Sequence, residues 1–371
     1  MRLFSRSVLP ALIFSLPLAI SALPSAHAAT ARAVGATPQA SQAAPVDQAD
    51  SKAIISALTK AHAAVVGVRV VAVDGARSVQ TLGANRRGSG VVIGSDGLIL
   101  TIGYLLLEAQ QIEIITQDGK ALPAVSVAYD LATGFGLVKP LVPSPALRNV
   151  APVALGSQQT LKTGEPLMAA TGAGLAGEDA GVSMTRLVSR RAFSGTWEYH
   201  LDTALFTSPP VSSGGGNHSG APLFNSAGEL IGVGSLFVMD ALGENVRMPG
   251  NMFVPIDLLK PILAELQLAG TSKQSARAWL GVTSSDQGGS IRIMRVSEGS
   301  PADDAGVKAG VVVQAVDGTP VATLEAFYKK VWAYSGPDTP LKLTVREGDE
   351  VKVIDIKPQS RMLTLKKPAG I

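Results

Sequence analysis

The 371-residue sequence has no cysteine, 4 histidines, 5% aromatic residues and 16% charged residues. Without cysteine there is no thiolate nucleophile, no cysteine-liganded zinc and no disulfide staple, so stability rests on packing. The charged fraction lies below the usual ~25%, and hydrophobic residues reach 46%. This composition is that of a compact folded chain. Charge of one sign is also scarce: Arg2 and Arg6 sit in an apparent leader, and removing them leaves 30 of the 32 basic residues against 29 acidic ones. Near neutrality gives no case for a nucleic acid or an anionic membrane as partner. The length suffices for two or three domains.

At the amino terminus Arg2 and Arg6 precede the apolar run 7-SVLPALIFSLPLAISALP-24, followed by 26-AHA-28. Basic start, short apolar core and small-x-small site predict a secretory signal peptide over residues 1–28. Pro10 and Pro17 break the core, so a stable membrane span is not expected after cleavage. Residues 29–50 are small and polar and read as a flexible linker. A helix is expected to open at Asp50 or Ser51, with Ile54, Ile55 and Leu58 on its apolar face.

From Val65 short β-rich runs alternate with turn residues: VVGVRVVAV, GSGVVIGSDGLILT, QIEIITQDGKALPAVSVAYD and FGLVKPL. Asp96-Gly97 and Asp118-Gly119 are hairpin-closing dipeptides. A second β block runs from about Val153 to Val254. It ends in 255-PIDLLKPILAELQLAG-270, where Leu258, Leu259, Ile262, Leu263 and Leu266 recur at helical spacing and Gly270 stops the helix. The two blocks and the helix form one unit, residues 51–270.

Residues 271–278, TSKQSARA, read as a linker to a small α/β module over 279–366. There Ser300 is placed to cap a short helix with Pro301 at its first position and Asp303 and Asp304 at its positive end. Asp317-Gly318 turns the chain, and Leu324 to Tyr334 spells an amphipathic helix.

Taken in order, GSGVVIGSDGLILT (88–101), LGSQQTLKTGEPLMAATG (155–172), SGAPLFNSAGELIGVGS (219–235), MFVPIDLLKPILAEL (252–266), WLGV (279–282) and VSEGSPADDAGVKAGVVVQAVDG (296–318) resemble the HtrA (Deg) family of exported trypsin-like serine proteases. Each segment is moderately specific, and their collinearity makes the resemblance strong. It implies a mainly β fold, a chymotrypsin-like double β-barrel followed by a small α/β PDZ domain, with a periplasmic location and neither metal nor cofactor.

Active enzymes of this mechanism need a serine nucleophile, a histidine base and an aspartate that orients the histidine. The family's T-x-x-H-V corresponds here to 101-TIGYLLLEA-109, which puts Tyr104 at the histidine position. The pattern D-x-x-x-D-I-A-L corresponds to 130-DLATGFGLVK-139, which puts Gly134 at the aspartate position. The serine motif G-N-S-G-G-P corresponds to 217-NHSGAP-222, which keeps Ser219 and places Asn217 where a glycine helps form the oxyanion hole. The preceding VSSGGG lengthens that loop.

A phenol is a poor proton acceptor at neutral pH, and glycine orients nothing. His62, His200 and His218 remain after leader removal, and none recommends itself: His218 adjoins Ser219 on a sharp turn, His200 lies in a strand-like run, and His62 is expected at the edge of the first strand. Nor does the spacing of any lysine recommend it as a substitute base. The resemblance therefore points to a degenerate protease that binds peptides or unfolded C-termini, or regulates an active relative, as a homotrimer or hetero-oligomer. A serine endopeptidase using Ser219 with an unidentified base, and an oligomeric scaffold subunit, are the alternatives.

PDZ domains add an extended peptide to a sheet edge and hold its terminal carboxylate on loop amides. By resemblance that loop is Trp279, Leu280, Gly281 and Val282. Leu324, Phe327 and Val331, on one helix face, either line the side-chain pocket or make ordinary core contacts. Val311 stands where the family usually has an aspartate.

Overall fold

The structure is a computed structural model, and it describes residues 48–174, 180–211, 218–244, 246–334 and 339–367. The leader 1–28, most of the linker and Asn217 lie outside the described residues. The first described element is a helix, Gln48–Ala63, so the expected linker is replaced by helix from Gln48. Ile54 and Ile55 are exposed rather than buried; Ala61 is buried and Leu58 packs against the core.

Strands β1 (Val65–Ala72), β2 (Asn85–Val92), β3 (Ile99–Ile102), β4 (Ala109–Ile115), β5 (Ala121–Tyr129) and β6 (Phe135–Pro140) close a barrel in the order β1-β2-β3-β6-β5-β4. These strands are rich in Val and Ile, and Val65, Val68, Ile99, Ile114, Phe135 and Leu137 are among the buried residues of the barrel. Asp96-Gly97 joins β2 to β3 and Asp118-Gly119 joins β4 to β5, as expected, with both glycines at positive φ.

Strands β7 (Pro166–Thr171), β8 (Gly181–Gly195), β9 (Tyr199–Ser208), β10 (Pro222–Phe224), β11 (Leu230–Val238) and β12 (Gly250–Pro255) close a second barrel in the order β10-β11-β12-β9-β8-β7. One hydrophobic cluster runs through both barrels, from Val65 and Phe135 to Phe206 and Val254. The predicted closing helix is divided: a 3-10 turn, Ile256–Leu258, precedes an α-helix, Leu263–Ala269, capped by left-handed Gly270. Pro261, which lacks an amide proton and clashes with the preceding turn, accounts for the break.

The carboxy-terminal domain contains β13 (Ala278–Trp279), β14 (Val282–Ser285), β15 (Ile291–Val296), β16 (Val312–Val316), β17 (Thr319–Pro320), β18 (Leu341–Glu347), β19 (Glu350–Ile356) and β20 (Gln359–Ser360). Strands β14-β15-β16-β18-β19 make its sheet, with β14 at one end. Ser300 caps the short helix Pro301–Asp304 by accepting from the Asp303 amide at 3.3 Å. The longer helix is Leu324–Trp332, and its Leu324, Phe327, Tyr328 and Val331 are buried in this domain's own core. Val311 joins the same core.

Residues 271–278 are not a loose tether. They form a 3-10 turn, Lys273–Ala276, pinned to the first barrel by a buried carboxylate. Asp130 accepts from the Ser272 hydroxyl at 2.5 Å, from the Ser275 hydroxyl at 2.5 Å and from the Thr133 amide at 2.9 Å. The Ser275 oxygen in turn accepts from the Leu131 amide at 2.7 Å. A buried charge with this many donors fixes where the chain leaves the barrels.

Candidate functional site

Ser219 lies where the barrels meet. Its carbonyl accepts from the Ser89 amide of β2 at 2.8 Å, and the neighbouring Gly220 amide donates to the Gly234 carbonyl of β11 at 2.7 Å. Both barrels therefore hold the turn that carries the serine. Directly after β3 the chain makes a 3-10 turn, Gly103–Leu106, which presents Tyr104 to Ser219.

The Tyr104 hydroxyl is 2.6 Å from the Ser219 oxygen and 2.8 Å from the Ser235 carbonyl. A carbonyl can only accept, so when the single phenolic proton goes to Ser235 the Ser219 hydroxyl must be the donor to Tyr104. Burial pushes the Tyr104 pKa up to about 12, against the opposing effect of the Ser219 contact. At neutral pH the group beside the serine is a neutral phenol with no useful affinity for a proton.

Arg86 fixes the turn that presents it. This buried guanidinium donates to the Leu107 carbonyl at 2.5 Å, the Tyr104 carbonyl at 3.3 Å and the Ser78 hydroxyl at 2.7 Å. Glu108 completes the cluster by accepting from the Ser78 hydroxyl at 2.6 Å and the Lys366 amide at 2.9 Å. Sequence reading missed Arg86 and Glu108, whose only signal is that buried charges must be paired.

Gly134 has φ +84°, and a β-carbon built there would stand 3.1 Å from the Tyr199 hydroxyl oxygen. Tyr199 is itself committed, donating to the Thr133 carbonyl at 2.6 Å. Tyr104, Gly134, Trp197, Tyr199 and Ser235 line a cavity of about 40 Å³. No carboxylate reaches the Tyr104 hydroxyl among the described residues. Asp130, four residues before Gly134, spends its oxygens on Ser272, Ser275 and Thr133 instead.

The histidines are placed away from this role. His62 lies in the last turn of the helix Gln48–Ala63 rather than at a strand edge. His200 bonds Ser194 at 2.9 Å and Asp202 at 3.2 Å. His218 makes no hydrogen bond to Ser219, and burial lowers its pKa. Glu325, Asp202 and His200 form a compact set of potential metal ligands, but the Lys329 ammonium sits 2.7 Å from both carboxylates and supplies the positive charge.

In the second domain Trp279 pairs with Gln359 in a two-stranded ribbon. The amides of Leu280, Gly281 and Val282 converge on one carboxylate, that of Glu198, at 2.9, 2.7 and 2.9 Å. Gly281 has φ +89°, and a β-carbon there would stand 2.1 Å from the Ser300 β-carbon. Only glycine lets the loop turn this way.

Comparison with known proteins agrees with this architecture. Residues 88–233 match the trypsin-like peptidase domain family, and residues 278–357 match the PDZ domain family. The chain is 28% identical over 237 residues to "Serine endoprotease DegS" of Haemophilus influenzae, covering 62% of this chain and 65% of the relative. It is 27% identical over 282 residues to "Probable periplasmic serine endoprotease DegP-like" of Hahella chejuensis, covering 73% of this chain and 56% of the relative. The alignments thus span less than two thirds of these relatives. The solved structure "HtrA-type protease AlgW with decapeptide" superposes with a TM-score of 0.50 at 18% identity, covering 85% of this chain and 99% of that one, which speaks for the fold. A trypsin-like double barrel followed in the same chain by a PDZ domain, with such relatives, supports an HtrA-type protease architecture for this protein.

Proposed function

We propose that this chain is an exported, periplasmic HtrA-family protein that does not hydrolyse peptides through Ser219. It works by binding, either of peptide C-termini and unfolded segments or of an active relative that it regulates. The observation that carries this reading is the Tyr104 phenol 2.6 Å from Ser219, where the mechanism needs an imidazole.

The magnitudes favour it. In a serine protease with a complete triad, loss of the serine or the histidine alone costs about 10⁶ in kcat. Here the base position is a phenol, the orienting position is a glycine, and Asn217 stands at the oxyanion-hole position. Oligomer formation, as a homotrimer or with an active relative, follows from the family resemblance. The export reading rests on the leader 1–28, and the periplasmic one on the resemblance to the probable periplasmic endoprotease of Hahella chejuensis.

Cleavage of an unfolded protein substrate by residues 29–371 and by the Ser219→Ala variant tests the proposal. The two traces are expected to coincide at background, and neither parent nor variant should react with a fluorophosphonate. Cleavage by the parent alone would make this an endopeptidase with an unrecognised base.

A further inference from the structure

The loop that resembles a PDZ carboxylate site already holds a carboxylate, and it comes from the chain's own protease domain. Strands β8 and β9 project as a hairpin whose turn, Gly195–Tyr199, enters the second domain. Glu198 stands at that turn with φ +58° and is buried. One of its oxygens accepts from Gly281 and Val282, the other from Leu280.

Two further bonds follow the pattern of peptide capture. The Ser284 amide of β14 donates to the Thr196 carbonyl at 2.7 Å, and β14 is the terminal strand of its sheet. From the opposite wall the Tyr328 hydroxyl, on the helix Leu324–Trp332, donates to the Gly195 carbonyl at 2.9 Å. A carboxylate on the loop amides, a backbone bond on the strand edge and a contact from the helix are the three elements of strand-addition binding.

We propose that the Gly195–Tyr199 turn is a built-in ligand of the PDZ groove, so that an external peptide C-terminus binds only by displacing Glu198. The inference rests on the reading that this groove takes peptide carboxylates. Because the internal ligand is tethered, it acts at a high effective concentration and lowers the apparent affinity for external peptide by the fraction of groove that is open.

The exchange is also physically accessible. Burial pushes the Glu198 carboxyl pKa up, in opposition to the three amides, so the docked carboxylate carries a desolvation cost. The turn pairs with β14 through one bond, whereas an extended peptide can pair along the strand. An incoming peptide therefore has ladder bonds to gain that the turn does not make.

The test uses the mature full-length chain and a decapeptide pool randomised over its last four positions, offered as free acid and as C-terminal amide. Glu198→Ala should retain the free-acid pool about tenfold or more above the parent, with no gain for the amide. Glu198→Gln, which keeps the side chain's size, should fall between. Hydrogen exchange of the Leu280, Gly281 and Val282 amides should quicken in Glu198→Ala by more than that of the β16 and β18 amides in the same domain. Equal peptide retention by parent and variants would overturn the built-in ligand while leaving peptide binding intact. Retention by none of them would remove the peptide reading, and exchange rates would then decide the inference: unchanged protection overturns it.

Discussion

Tyr104 and Ser219 share a hydrogen bond at 2.6 Å across the seam between the two barrels. The tyrosine oxygen thus occupies the place from which a base would act on the serine, and the Ser235 carbonyl takes up its remaining capacity at 2.8 Å. On the proposed reading, the serine is held by this pair and not activated by it.

Replacing Tyr104 with histidine should supply the missing proton acceptor. The Tyr104→His variant is expected to show slow hydrolysis that disappears in Tyr104→His/Ser219→Ala, rising with pH as an imidazole near ~6.5 loses its proton. Without an orienting aspartate it should remain roughly 10⁴-fold below a complete triad. Adding Gly134→Asp should not recover that factor, because the left-handed backbone and the nearby Tyr199 hydroxyl leave the new side chain strained by about 1–3 kcal/mol. Steady-state hydrolysis of an unfolded substrate across pH 5–9 checks all three statements. An inert Tyr104→His would mean that the oxyanion side, with Asn217, is also deficient.

Asp130 should prove structural. Its carboxylate holds Thr133, Ser272 and Ser275, so Asp130→Ala leaves several buried groups without their acceptor. A loss of about 3 kcal/mol in unfolding free energy is expected, with faster proteolysis within residues 271–277. Asp130→Asn, which keeps one acceptor oxygen, should lose less. Denaturant unfolding measures the first effect, and a stability change below about 0.5 kcal/mol in the alanine variant would count against the role assigned here.

How far the sequence could be read depends on the kind of feature. Val65 to Val73 and Asp96-Gly97 report local strand and turn chemistry, and the barrels followed them. Pro261 was equally visible, yet the apolar periodicity of Leu258, Leu259, Ile262 and Leu266 concealed the break it causes. Motif position pointed to Tyr104, whose hydroxyl lies 2.6 Å from Ser219, and to Gly134, which lines the same cavity as Tyr104. Glu198 and Asp130 were not readable by position. Their partners lie 84 and 145 residues away along the chain, and no periodicity relates a hairpin turn to a distant loop. His62 failed for a local reason: the first helix runs to Ala63, so its last turn contains a residue that reads equally well as the approach to β1.

Glu108 gives the fold an acid-sensitive point close to Tyr104. Burial would raise its carboxyl pKa, but the Ser78 hydroxyl and the amides of Lys366 and Ser78 outweigh burial and hold it below its ordinary value of 4.5. A carboxyl depressed in the folded state stabilises the fold at pH above its unfolded value, and that contribution is lost as pH falls through the folded value. Glu108→Gln should therefore be less stable than the parent at pH 7, by about 1–3 kcal/mol, and the gap should narrow below pH ~4 as the parent's carboxylate takes up its proton. Melting curves of both proteins from pH 3 to pH 7 test the sign. A gap independent of pH would assign the loss to packing, whereas a narrowing gap assigns it to the charge that anchors Ser78 and, through Arg86, the turn carrying Tyr104.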